Sequence, residues 1–163
     1  MRPGGLAGLT FWLSLALALV LTLMPLPEAL RTAKPFWVAI VVIYWALESP
    51  ERMGLGRAFA LGLVCDLLTG SLLGEQALRL VVLAFITLRL RSRLRFFPMP
   101  QQTLAVLALL FNDRVVMLMI RSFAESVPVE LAHVIGPIAG ALLWPWVFLL
   151  LDGLRLRTRP KDA

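Results

Sequence analysis

Cysteine and histidine are almost absent from this sequence: Cys65 is its single cysteine and His133 its single histidine. One thiol excludes an intramolecular disulfide and a thiolate metal cage. His133 stands in no HExxH or comparable spacing, so it reads as a polar residue at a helix start, and neither a metal nor any other cofactor is expected. Catalytic signatures are missing as well. The chain has no GxSxG elbow, no P-loop and no glycine fingerprint for dinucleotides. Asp66 and Asp113 are two carboxylates of the kind that share a proton in aspartyl proteases, but the glycine-flanked motif of intramembrane members is lacking and Asp113 adjoins Arg114. No enzyme is expected.

Charge is scarce too. Charged residues make up 16% of the 163 and hydrophobic ones 60%. A soluble domain of this size needs a polar face on nearly every element. Here, instead, apolar runs approach or reach the roughly 20 residues that carry a helix across a bilayer. We expect an all-α fold, a polytopic transmembrane bundle of about six helices forming one integral membrane domain over residues 1–163, with spans near 8–24, 36–47, 56–73, 76–90, 101–120 and 131–151. The first run follows Arg2 and resembles a signal peptide, but Met24-Pro25-Leu26-Pro27-Glu28 closes it where a small-residue cleavage site would stand, so a retained span is expected. The second run is short, which leaves five spans as the alternative. Most prolines fall between segments, while Pro137 and Pro145 lie within the sixth and predict a kink there. Trp144 and Trp146 flank that kink, as interfacial belt or as packing at the bend.

The formal charge of +6 is distributed as membrane topology requires rather than as a nucleic-acid surface. With six spans, one side receives Arg2, Arg52, Arg57, the loop residues Arg89, Arg91, Arg93 and Arg95, and the tail residues Arg155, Arg157, Arg159 and Lys161. The other receives Arg31, Lys34, Arg79 and Arg121. Both termini are therefore expected in the cytoplasm, which agrees with an even number of spans. The basic loop is also suited to anionic lipid, at about 1 kcal/mol per basic residue near the surface.

One row of residues stands out. Gly54, Ala58, Gly62, Asp66, Gly70 and Gly74 recur at four-residue intervals. Small residues so spaced form a groove that lets another backbone approach, whether a partner's or the chain's own. A carboxylate in that groove is costly unless it faces protein, water or a cation. The fifth segment carries Asn112-Asp113-Arg114. At about 1.5 Å per residue, Asp66 and Arg114 reach similar depths, roughly 15 and 18–20 Å in. We expect a buried polar cluster of Asp66, Asn112, Asp113 and Arg114, with contact between Asp66 and Arg114.

The stretch Pro35-Phe36-Trp37, Tyr44-Trp45, Pro50, Gly54, Ala58-Phe59, Gly62-Leu63, Asp66-Leu67-Leu68, Gly70, Leu73-Gly74 and Ala77-Leu78 resembles MreD, the rod shape-determining membrane protein family of bacteria. The arginine-rich loop followed by Phe96-Phe97-Pro98 and Gln101-Gln102 is similar too. The resemblance implies a non-enzymatic scaffold of the elongation machinery in the inner membrane. It would bind MreC and work with the filament protein MreB, with RodA and with its penicillin-binding transpeptidase to direct peptidoglycan synthesis and maintain rod shape. It also implies a fold similar to the S components of energy-coupling-factor transporters. That opens a second reading, a subunit that binds a vitamin-like or lipid-like molecule.

Overall fold

The computed structural model describes residues 3–124 and 132–158. Leu131, and the side chain of His133, fall outside the described residues, as do Arg2, Arg159 and Lys161. All the regular structure among the described residues is helical: α1 (Pro3–Leu23), α2 (Glu28–Arg31), α3 (Trp37–Glu48), α4 (Leu55–Thr69), α5 (Glu75–Leu94), α6 (Met99–Ala124) and α7 (Ala132–Arg157). α2 is a single turn in the connection between α1 and α3. The other six correspond in order to the six expected segments, with shifted ends. α4 stops at Thr69 rather than running to residue 73, because Gly70 turns to φ 65° and Gly74 to φ 97°, a left-handed conformation that glycine enters without steric cost. α5 gains a turn beyond residue 90, carrying part of the expected basic loop as helix. α7 is one continuous helix through both Pro137 and Pro145.

Side-chain contacts fix the direction of each helix. Trp45 Nε1 donates to Ser14 Oγ at 2.9 Å, and Lys34 Nζ donates to the carbonyls of Thr22 and, at 3.0 Å, Met24, so α1 and α3 are antiparallel. Lys34 thereby caps the carbonyl end of α1, where a cation opposes the helix dipole; burial, then the charge of Arg31, pushes its ammonium below the ordinary lysine range. α4 and α5 form an antiparallel pair, with Gly62 against Ala77. Arg91 Nε donates to Leu47 O at 2.6 Å, while Arg79 lies over the Phe36 ring at 4.8 Å, so α5 runs parallel to α3. α6 returns, with Gln102 near Leu94 and Asp113 near Arg79. α7 returns again, with Trp144 Nε1 donating to Gln102 Oε1 at 3.2 Å. The six long helices thus alternate in direction, and the start of α1 and the end of α7 lie at the same end of the bundle.

α3 is the axis of the bundle. Every residue from Val38 to Leu47 is buried, and a helix that is apolar all round is stable only when covered all round. Its 12 residues span only about 18 Å, less than a bilayer's hydrocarbon core of about 30 Å. Among the described residues, three helices are long and apolar enough to cross a membrane: Gly5–Leu23, Met99–Ala124 and Val134–Arg157. They keep only 22%, 28% and 33% of their apolar windows inside the protein, which places broad apolar faces outward. We read the chain as a membrane protein on that basis. Trp144 is fully buried against Phe148, a packing residue, while its neighbour Trp146 is 73% exposed.

Candidate functional site

The row of small residues is filled from within the chain. Ala58, Gly62 and Asp66 are buried in α4, and α5 lies on them. A Cβ on Gly62 would stand 2.3 Å from Ala77 Cα and 2.7 Å from Gln76 O, so the two backbones touch where only hydrogen fits. Gly54 is the residue before α4, and Gly70 and Gly74 belong to the turn between α4 and α5. The row is therefore a helical groove for three members, the extended residue that opens α4 for Gly54, and chain-reversal positions for Gly70 and Gly74.

Asp66 sits one turn before the end of α4 and reaches across to the start of α5. Its Oδ1 accepts from Gln76 N at 2.9 Å and Ser71 Oγ at 2.8 Å; its Oδ2 accepts from Gly74 N at 2.8 Å and Ala77 N at 3.4 Å. The first amides of a helix have no partners within it and carry partial positive charge. Asp66 supplies the missing acceptors from a neighbouring helix, which is why a 2% exposed carboxylate is tolerated there. Thr69, Ser71 and Gln76 complete the turn, with Gln76 Nε2 donating to Thr69 Oγ1 at 2.7 Å. We expect Asp66→Ala to cost about 2 kcal/mol by leaving these buried donors unmet. Asp66→Asn keeps one acceptor oxygen and is expected to cost roughly half as much, by thermal unfolding of the purified chain in detergent.

The expected Asp66–Arg114 contact is not made. Asp113 pairs instead with Arg79, which donates through Nε at 3.0 Å and Nη2 at 2.5 Å to the two carboxylate oxygens. This bidentate pair is nearly sealed, with side chains 7% and 1% exposed. Arg79 also lies 3.7 Å from Glu75, whose Oε1 accepts from Arg121 Nε at 3.2 Å. A chain of alternating charge, Arg121–Glu75–Arg79–Asp113, thus ties α5 to α6, and Phe36 of α3 lies against the Arg79 guanidinium. Arg114 faces the other way, toward Met117 Sδ at 3.7 Å and the bare backbone of Gly136, where a Cβ would meet its Nη2 at 2.8 Å. Asn112 Nδ2 is buried with no hydrogen-bond partner among the described residues. Of the four residues expected together, Asp113 and Arg114 share one small space with Phe36, Leu110, Gly136 and Pro137, and Asp66 belongs to another site.

Sequence reasoning counted Arg79 only among the charges of the non-cytoplasmic side and passed over Glu75. Their i, i+4 spacing at the head of an apolar stretch was the available signal. A second polar site, at the opposite end of the bundle, was missed altogether. Glu48 accepts from Arg155 Nη2 at 2.8 Å and has Arg95 4.0 Å away, while Arg155 also pairs with Asp152 at 3.1 Å. Arg95 and Arg155 come from segments far apart in sequence, and both converge on the end of α3. Of the basic loop, Arg91 is tied to Leu47 O and Arg95 to Glu48; the side chains of Arg89 and Arg93 make no hydrogen bond or ion pair among the described residues, and both are exposed.

Compared with known proteins, residues 6–154 match the family model described as rod shape-determining protein MreD. The Rod shape-determining protein MreD of Haemophilus influenzae (strain ATCC 51907 / DSM 11121 / KW20 / Rd) is 34% identical over 143 residues, 88% of this chain and 88% of that protein. No solved structure matches the chain.

Proposed function

The chain belongs to the MreD family of rod shape-determining proteins, and from that premise we propose that it is a non-enzymatic membrane scaffold of the bacterial elongation machinery. In this reading it sits in the inner membrane with both termini in the cytoplasm. There it binds MreC and helps MreB, RodA and the penicillin-binding transpeptidase to direct peptidoglycan synthesis. The family match over nearly the whole chain carries the reading. The orientation draws support from the charges: the bundle end that gathers Arg91, Arg95 and Arg155 is also the end where the chain starts and stops.

The polar interior suits a scaffold. Arg79, Asp113, Glu75 and Arg121 pair at one end of the bundle and Glu48, Arg155 and Asp152 at the other, and the space beside Asp113 and Arg114 is too tight to admit a water molecule. A binding subunit of the S-component kind needs a roomy site lined by convergent polar groups. With α5 occupying the small-residue row, contact with MreC falls to the outward apolar faces, such as that of α6 with Leu104 66% and Met119 57% exposed. Depletion in the native rod-shaped host tests the proposal: cells are expected to round up, and tagged protein to co-purify MreC. Unchanged rod growth after depletion would sink it.

A further inference from the structure

α1 and α4 run in the same direction with α3 returning between them, and they scarcely touch. A groove of about 290 Å³ separates them, lined by Phe11, Leu15, Leu19, Ala60 and Val64, with Arg57 toward the start of α4. Along α4 the lining runs from Met53 to Val64. The groove is lined almost wholly by apolar side chains and suits a flexible hydrocarbon chain.

Its polar end is cationic. Arg57 Nη1 donates to the carbonyls of Arg52 at 2.6 Å and Glu51 at 3.4 Å, which holds the guanidinium at the mouth. Its Nε and Nη2 have no hydrogen-bond partner among the described residues, and the side chain is exposed. Arg52 reaches over to α1, its Nη1 3.8 Å from where a Cβ on Gly8 would stand. Glu51 makes no ion pair with either arginine among the described residues, so two positive charges bracket one end of an apolar slot. Guanidinium pairs favour phosphate oxygens, and a phosphodiester bearing acyl chains places charge and hydrocarbon at this spacing.

We propose that the α1–α4 groove is a binding site for one anionic phospholipid, with an acyl chain between Phe11, Leu15 and Val64 and the headgroup phosphate held by Arg52 and Arg57. The site is independent of the shape-determining reading. The test is native mass spectrometry of the full-length detergent-purified chain, titrated with phosphatidylglycerol or with phosphatidylcholine of identical acyl chains. One phosphatidylglycerol is expected to be retained at least fivefold more strongly than phosphatidylcholine, and to raise the unfolding temperature by several degrees. Arg52→Gln/Arg57→Gln is expected to remove the preference between the headgroups. Ala60→Trp, which fills the slot, is expected to abolish retention of both, whereas Leu149→Trp on the exposed face of α7 leaves it intact. Equal retention of the two lipids by the unaltered chain, or full retention by Ala60→Trp, would overturn the proposal.

Discussion

Gly62→Leu is expected to yield a chain that inserts but does not assemble its α4–α5 pair, and Gly62→Ala one that assembles with a large loss of stability. The added Cβ meets Ala77 Cα at 2.3 Å, Ala77 N at 2.6 Å and Gln76 O at 2.7 Å, all backbone atoms that no side-chain rotation can move aside. The helices must separate, and separation lengthens the contacts of Asp66 with Gly74, Gln76 and Ala77, which depend on the same approach. Overpacking of a tight core costs about 1–3 kcal/mol. With loss of the cap added, about 3–5 kcal/mol is expected for Gly62→Ala, above the roughly 0.5–3 kcal/mol of most substitutions. Gly56 lies in the same helix, and a Cβ there meets nothing within 4 Å. Gly56→Ala is expected to change stability by no more than about 0.5 kcal/mol, as exposed substitutions do. Thermal unfolding of the two variants side by side in detergent separates close packing from any general intolerance of α4. Equal melting temperatures would mean that α4 and α5 do not approach as described.

The second large effect is expected at Arg79. Arg79→Met leaves Asp113 and Glu75 buried, with Asp113 deprived of its bidentate partner and Glu75 left with Arg121 alone. Removing one partner of a buried pair costs about 3–5 kcal/mol, because the remaining charge has lost both solvent and counterion. Asp113→Leu is expected to cost less than Arg79→Met, since Arg79 retains Glu75 at 3.7 Å. The double variant Arg79→Met/Asp113→Leu is expected to be more stable than Arg79→Met alone, the signature of a coupled pair. A double variant whose loss equals the sum of the singles would show that the two residues act separately. The same variants in a depleted rod-shaped host connect this pair to function: on the scaffold proposal, shape rescue should follow folded amount across the series.

Much of this molecule was legible in the residues. Apolar runs bounded by proline and arginine pointed to the helical class, because hydropathy reports on which backbone must satisfy itself by intrachain hydrogen bonds. The six segments coincide with six helices, of which three among the described residues, Gly5–Leu23, Met99–Ala124 and Val134–Arg157, are long and apolar enough to cross a membrane. The four-residue row identified α4 as a close-packing helix. Its ends were less legible. A glycine at a regular interval reads as part of the row, yet Gly70 and Gly74 take positive φ and reverse the chain, a backbone choice that spacing does not encode. Counting depth along separate helices placed Asp66 and Arg114 at one level. Level alone does not decide contact, since a side chain also needs the right azimuth around its helix and a neighbour on that side.

The sequence by itself determined a membrane-embedded, all-helical chain, its small-residue helix and the family to which it belongs, because these rest on composition, spacing and the order of residues along one strand of chain. Only the tertiary structure decided who meets whom. It gave Asp66 to the open amides of α5, because those donors lie within reach and carry the complementary partial charge. It gave Asp113 to Arg79, because α6 packs antiparallel to α5 and brings a guanidinium fork and a carboxylate face to face out of water. It buried α3 on every side and left α1 and α4 apart, with a cationic mouth at Arg57. Pairing of this kind depends on helix neighbours and rotation, which hydropathy does not specify in a chain whose helices are apolar nearly all round.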